Sequence, residues 1–194
     1  MPLILEGLLT TLNVNGAVNI APMGPIVDET MQRMTLRPYQ TSHSYANLKR
    51  TGQAVFHITD DVLLLARACI DRLDPLPAMR QAKSMQGMIL VDACRWYALQ
   101  VESLDDTQPR TTIEARVIDS GQQREFFGFN RAKHAVLEAA ILASRVGLLP
   151  RDEILQQFPA LATIVQKTGG PAEHEALQIL ETYVRTASHA ETPD

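Results

Sequence analysis

The chain has 194 residues, 45% of them hydrophobic and 21% charged, and a net charge of -4. This is enough apolar material for one well-buried domain, alone or with a helical annex, and it excludes disorder as a global description. The negative balance, with no basic stripe interleaved with aromatics, argues against nucleic acid as a partner held through its phosphates. The opening Met1-Pro-Leu-Ile-Leu-Glu6 has no basic region and reaches an acid early, and no later apolar run is long enough to span a bilayer. A cytoplasmic protein without a membrane partner is therefore expected. Cys69 and Cys94 have no His or Cys at ligand spacing beside them, so neither a metal site nor a disulfide framework is expected, and both read as small apolar residues destined for burial.

Residues 3–13 read as a strand, because aliphatic residues dominate and Thr10 and Thr11 are β-branched; Asn13 to Gly16 then supplies hairpin chemistry. A second strand follows from Ala17 through Val18, Ile20 and Met23 to Val27. Pro22 and Pro25 cannot donate to a ladder, which confines this strand to an edge or a bulge. A Ser/Thr-rich turn opens a short helix around Ala46 to Lys49, and an apolar strand covers 53–59. Asp60 and Asp61 can cap a helix over 62–70 that is apolar on most sides and belongs in the interior. The stretch 71–80, with Pro75 and Pro77, is a connection to a short strand at 89–92. Alternation in 95–101 and 110–118 gives a hairpin around 105–109. Six or so strands suffice to close a small barrel.

After Phe126-Phe-Gly-Phe129 the texture becomes helical. Asn130 can cap a helix running through Val136, Ala140 and Val146 to about Gly147; Pro150 begins a second, continuing past Pro159 to Val165, and Pro171 a third through Tyr183. Three short helices bury little alone, so they need the barrel or a second subunit to pack on. The last six residues are expected to be loose. The fold class is α+β, mainly β, with a barrel over 1–127 and a helical segment over 128–188.

Three features of the first quarter carry chemistry. The motif GAVNIAPMG over 16–24 lies on the interrupted strand, whose spare backbone groups could bond the polar rim of a flat ring while Ile20, Pro22 or Met23 touch its face. Thr41, Ser42 and Ser44 precede a helical turn, where unpaired amides attract an anion, and Arg37 is near enough to add charge. The same hydroxyls are also ordinary helix caps, and the prolines ordinary edge protection. Third, Asn47 follows in Ser-x-x-Asn-Leu, ahead of Thr51-Gly52 and the apolar strand.

In this order the pieces resemble the FMN-binding split-barrel, or flavin reductase-like, superfamily. The helical segment opening with Gly128-Phe-Asn-Arg-Ala-Lys-His looks like an uncharacterised branch of it. The resemblance implies a homodimer that binds FMN at the subunit interface, with Asn19, Ala21, Pro22, Met23 and Gly24 near the ring and ribityl chain. It places Arg37, Thr41, Ser42, Ser44 and Asn47 on the phosphate side. It also implies a small-molecule substrate or electron donor and a link to one-carbon carriers of pterin or furan type.

Arg131 and Lys133 sit in the first turn of a helix, where cations oppose the dipole; this hints at a phosphate or acidic ligand, although both are also plausible as solvated residues beside a capping Asn. His134 and His57 lack an Asp partner at motif spacing and read as structural. There is no nucleophile elbow, phosphate loop or dinucleotide fingerprint, so a bound flavin would have to carry any redox step, and no catalytic residue is assigned. Two readings remain: an FMN-dependent oxidoreductase, and a non-catalytic FMN-binding or interaction protein in a biosynthetic complex.

Overall fold

The structure, a computed structural model, describes residues 2–187. The expectation for the last six residues falls outside this range. By their internal contacts the described residues form two compact units, one drawn from 2–60 and 76–126, the other from 61–75 and 127–187.

The first unit is built on strands β1 (Leu3–Ile4), β2 (Gly7–Leu12), β3 (Val18–Met23), β4 (Ile26–Val27), β5 (Arg33–Leu36), β6 (Gln53–Ile58), β7 (Met79–Gln81), β8 (Met88–Leu90), β9 (Arg95–Asp105) and β10 (Thr112–Gln122), with helix α1 (His43–Thr51) between β5 and β6. Eight strands form one antiparallel sheet in the order β1-β4-β5-β10-β9-β6-β2-β3, and β7 pairs with β8. The strand expected over 3–13 is broken at Leu5 and Glu6, and the one over 17–27 at Gly24 and Pro25. These breaks lie opposite each other, and Leu5 N–H still donates to Pro25 O at 3.1 Å across the bend. Beyond it β1 and β4 pair with each other and β4 with β5, while β2 and β3 pair together and β2 with β6. One hairpin thus supplies both ends of the strand order, which makes the sheet a split barrel. Pro22 sits in edge strand β3, where its missing N–H is tolerated.

Side-chain alternation sorts the two faces of the sheet. Ala54, Phe56, Tyr97, Leu99, Ile113 and Ala115 join Leu9, Met34, Leu36 and Leu48 in the main core. Val55, Trp96 and Ala98 point to the other face, against Ala82, Met85 and Ile89 of the β7–β8 segment. Helix α1 ends at Gly52, whose φ of +66° lets its N–H reach back to Leu48 O at 2.8 Å.

His57 is fully buried and ties three strands together. Its Nε2 accepts from Leu90 N–H at 3.1 Å, which leaves Nδ1–H to donate to Leu8 O at 3.2 Å. A second proton would face the Leu90 amide, so the ring is held neutral, and burial lowers its pKa to about 4, against the partial support of the Leu8 carbonyl.

The second unit contains α2 (Val62–Cys69), α3 (Arg131–Ala143), α4 (Arg151–Leu155), α5 (Phe158–Thr168) and α6 (Pro171–Thr186). The second helix of the carboxy-terminal segment is split into α4 and α5. Pro159 falls in the first turn of α5, where its missing N–H has no intrahelical duty; inside a continuous helix it would clash with the preceding turn. Helix α2 packs on α3 and α6, with Arg67 bridging to Glu175 at 2.6 Å and the Cys69 thiol donating to Ala140 O at 3.3 Å. A single division at 127/128 therefore does not describe the helical unit, which recruits α2 from mid-chain. Burial pushes the Cys69 thiol up to about 11 and also raises that of Cys94, which is 2% exposed, so neither is a ready thiolate.

The His57 geometry sets a pH dependence. The unfolded chain binds a proton at this imidazole from about pH 6.5 downward, whereas the folded chain does so only near 4. Its contribution to stability is complete above about 6.5 and is lost as pH falls toward 4. In urea melts, wild type should lose about 2 kcal/mol more than His57→Gln between pH 7 and 4.5. Equal losses would show that this ring does not titrate on unfolding.

Candidate functional site

Ser42 is the N-cap of α1: its Oγ accepts from Tyr45 N–H at 3.2 Å and donates to Tyr39 O at 2.8 Å. Ala46 N–H reaches Ser42 O at 3.2 Å, while the amides of His43 and Ser44 have no acceptor among the described residues, as is usual in a first helical turn. Thr41 is exposed just before the cap. The turn therefore presents two amides and a hydroxyl to an anion, with the cap hydroxyl of Ser42 already in structural use.

Ser44 and Asn47 are buried, at 2% and 4% exposure, and hold α1 onto the sheet. Asn19 Nδ2 donates to Ser44 Oγ and to Thr11 Oγ1, each at 3.1 Å. Asn47 Nδ2 donates to Thr11 Oγ1 at 3.0 Å and Asn13 Oδ1 at 2.8 Å, which commits both of its protons. Arg50 closes the web by donating to Leu12 O and, at 3.4 Å, to Asn47 Oδ1. Asn19, expected on the ring side, is thus brought together with Ser44 and Asn47, expected on the phosphate side, and their bonds fix α1 against β2 and β3. Sequence reasoning missed Thr11, Asn13 and Arg50. The signal was present in the spacing: Thr11 and Asn13 are two apart on one face of a strand, and Asn47 and Arg50 three apart on one face of a helix.

Ala21, Pro22, Met23 and Gly24 lie half-buried at the outer edge of the sheet. Asn19, Ala21 and Met23 stand across from Thr11, Leu9 and Gly7, and Met23 packs against the main core; Pro22 stands across from Leu8 on the other face. An edge strand leaves backbone N–H and C=O groups unpaired on its outer side. Gly24 lies against the Glu6 carboxylate: a Cβ there would be 2.7 Å from Glu6 Oε1, so that flexible side chain would have to shift.

Arg37 leaves β5 toward this turn. Its Nε is the one buried side-chain nitrogen or oxygen among the described residues without a hydrogen-bond partner. An unmet donor on a charged group is costly, and an anion would meet the need.

Arg131 and Lys133 belong to the helical unit. Asn130 Oδ1 caps α3 by accepting from Lys133 N–H at 3.0 Å, and its Nδ2 donates to Thr168 O at 3.1 Å. Lys133 Nζ lies 3.1 Å from Glu173 Oε1, whose other oxygen accepts from Gly170 N–H at 2.8 Å. Burial pushes the Glu173 carboxyl up, but Gly170 and Lys133 together hold it below its ordinary value. The cation at this helix start therefore answers a buried carboxylate. Arg131 is exposed, and His134 stacks obliquely beside Phe129. Among the described residues no group of three or more His, Cys, Asp or Glu could hold a metal ion, and no helix is long and apolar enough to cross a membrane.

Among solved structures, the chain is similar to the FMN-bound protein MM1853 from Methanosarcina mazei, with 22% identity and a TM-score of 0.81 over 94% of this chain and 96% of that one. It is also similar to the styrene monooxygenase flavin reductase of Pseudomonas putida S12, with 16% identity and a TM-score of 0.50 over 60% and 77% of the two chains. A third likeness is flavoredoxin from Methanosarcina acetivorans, with 11% identity and a TM-score of 0.51 over 63% and 68%. At these identities what is shared is the fold, the flavin reductase-like split barrel, which M. mazei MM1853 matches over nearly its whole length. No curated protein matches the chain. Two family models match in order, "Protein of unknown function (DUF447) N-terminal domain" over residues 5–124 and "Protein of unknown function (DUF447)" over 130–182. Barrel and helices together, the chain belongs to the DUF447 family.

Proposed function

We infer that this protein binds FMN in its barrel unit and serves as a flavin-dependent oxidoreductase for a small molecule. The observation that carries the reading is Arg37: a guanidinium whose buried Nε, like the first amides of the helix after it, has no partner among the described residues, in a unit whose β3 edge can read a flat polar ring. These donors fit a flavin phosphate, a doubly charged group that takes several charge-assisted bonds. That an almost full-length structural neighbour is FMN-bound supports the same assignment.

In this arrangement Arg37, Thr41 and the amides of His43 and Ser44 hold the phosphate. Backbone of Ala21 to Gly24 meets the ring edge, and Asn19 orders β3 against α1. Bound FMN supplies hydride or electron transfer. The chain's own work is to bind, orient and limit water, which needs no general base. By the resemblance the working form is a cytoplasmic homodimer with FMN at the subunit interface, and the substrate belongs to one-carbon carrier chemistry of pterin or furan type. A second reading, a flavin-holding interaction protein, is favoured by the exposed rings of Phe127 and Phe129 at 78% and 94% exposure.

Protein reconstituted with excess FMN should retain it through gel filtration and show a flavin absorption band; complete loss of the flavin overturns the reading. Bleaching of the band by a reduced nicotinamide or deazaflavin, with turnover on an acceptor, selects the oxidoreductase over the interaction protein. Arg37→Ala should weaken FMN by about 2 kcal/mol, the size of one charge-assisted hydrogen bond. Ser42→Ala should instead remove about 1 kcal/mol of folding stability, measured in urea, as the loss of a helix cap does.

A further inference from the structure

Residues 38–42 belong to no helix or named strand and have a single bridge, Tyr39 to Arg110, yet every proposed phosphate donor lies on or beside them. The bonds within this turn run to Tyr39 O, from Ser42 N–H at 2.9 Å and from Ser42 Oγ at 2.8 Å. Apart from the α1 amides of Tyr45 and Ala46 that bond Ser42, what else fixes it among the described residues comes from the β9–β10 hairpin tip, more than sixty residues away in sequence. Gln40 Nε2 donates to Asp106 O at 2.6 Å and to Gln108 O at 2.9 Å, and Gln40 N–H donates to Pro109 O at 3.0 Å. Thr111 donates to Pro38 O through its N–H at 3.0 Å and its hydroxyl at 2.8 Å. Arg110 Nε reaches Arg37 O at 3.3 Å, and its guanidinium lies 5.7 Å from the centre of the Tyr39 ring.

The far side of the turn is held from the same tip. Tyr45 OH donates to Asp106 Oδ2 at 2.6 Å, and Lys49 Nζ donates to that oxygen at 2.7 Å and to Tyr45 OH at 3.1 Å. The tip is itself braced, since Asp105 Oδ1 accepts from Thr107 N–H at 3.0 Å and Thr107 Oγ1 at 2.7 Å. Asp106 therefore grips the turn through its carbonyl and the first helical turns through its carboxylate. Lys49 first, then Tyr45, hold that carboxyl below its ordinary value, so the grip stays charged at neutral pH.

We propose that Asp106 and Gln40 are positioning residues for the phosphate site, joining the β9–β10 tip to residues 38–49 as a clasp that aims the anion-binding donors. The proposal rests on the flavin reading above. It makes a prediction whose sign is unusual. A carboxylate near an anion site repels the anion, so charge alone predicts that Asp106→Ala, which also releases Lys49, tightens phosphate binding. Positioning predicts the opposite.

The test is to titrate FMN and riboflavin, which share the ring and differ in the phosphate, into unaltered protein, Asp106→Ala and Gln40→Ala. Gln40→Ala approaches the same clasp from the turn and serves if Asp106→Ala folds poorly. Kd for FMN should rise about tenfold in both variants, the low end of what is lost when groups orienting a ligand's partners are removed. Kd for riboflavin should stay unchanged. Asp106→Asn, which keeps an oxygen acceptor for Tyr45 and Lys49, should recover part of the loss. Tighter or unaltered FMN binding, or equal weakening of both flavins, overturns the clasp while leaving the flavin reading intact. If the unaltered protein binds neither flavin, the flavin reading falls and the clasp with it.

Discussion

The barrel depends on one paired break in its first hairpin. Leu5 and Glu6 on one arm and Gly24 and Pro25 on the other leave the ladder together, so the arms stay joined while their outer neighbours change from β6 on one side of the bend to β5 on the other. One residue choice favours it: Pro25 has no N–H to offer, while Gly24 leaves the Glu6 carboxylate room beside the bend. Without the bend the hairpin would be two straight strands at one margin of a sheet. With it, the margins are covalently linked, β3 becomes an edge, and α1 meets β2 and β3 through buried amides and hydroxyls. His57 secures the same region from outside by joining β2, β6 and β8.

Much of this was legible in the sequence because it rests on local chemistry. The prolines announced an edge or a bulge, Asn130 and Ser42 announced caps, an apolar run announced β6, and alternation announced the long hairpin. What the sequence hid is non-local. Arg33–Leu36 is a strand because it completes pairing with β4 and β10, and four residues with Arg and Thr in them carry little periodic signal. Met79–Gln81 is a strand only because β8 lies beside it. The hairpin of β9 and β10 is longer than its alternating core, extending through polar residues that nothing but a partner strand would hold extended.

The candidate site divides in the same way. The family resemblance pointed to Asn19 on the ring side and to Ser44 and Asn47 on the phosphate side, but not to whether their polar atoms face a ligand or one another. The three-dimensional arrangement answers that: the side-chain amide protons of Asn19 and Asn47 are committed within the chain, whereas the first backbone amides of α1 and the Nε of Arg37 have no acceptor among the described residues. A residue can therefore belong to a binding site as the frame of it. Lys133 shows the converse, since its position against the helix dipole looked like a ligand signal and is accounted for by Glu173, forty residues away in sequence.

Helix α2 gives the helical unit a history on the ribosome. It is made roughly sixty residues before α3 and more than one hundred before α6, yet Leu65 and Ala66, at 5% and 0% exposure, are covered in the unit those helices build. During synthesis the apolar side of α2 must wait, exposed or provisionally sheltered, while the whole of β7 to β10 is threaded out. The barrel strands on both sides of α2 can find one another meanwhile, so the chain's late helices arrive at a partner displayed in advance. A carboxy-terminal half shuffled between proteins as a self-contained module would leave that partner behind.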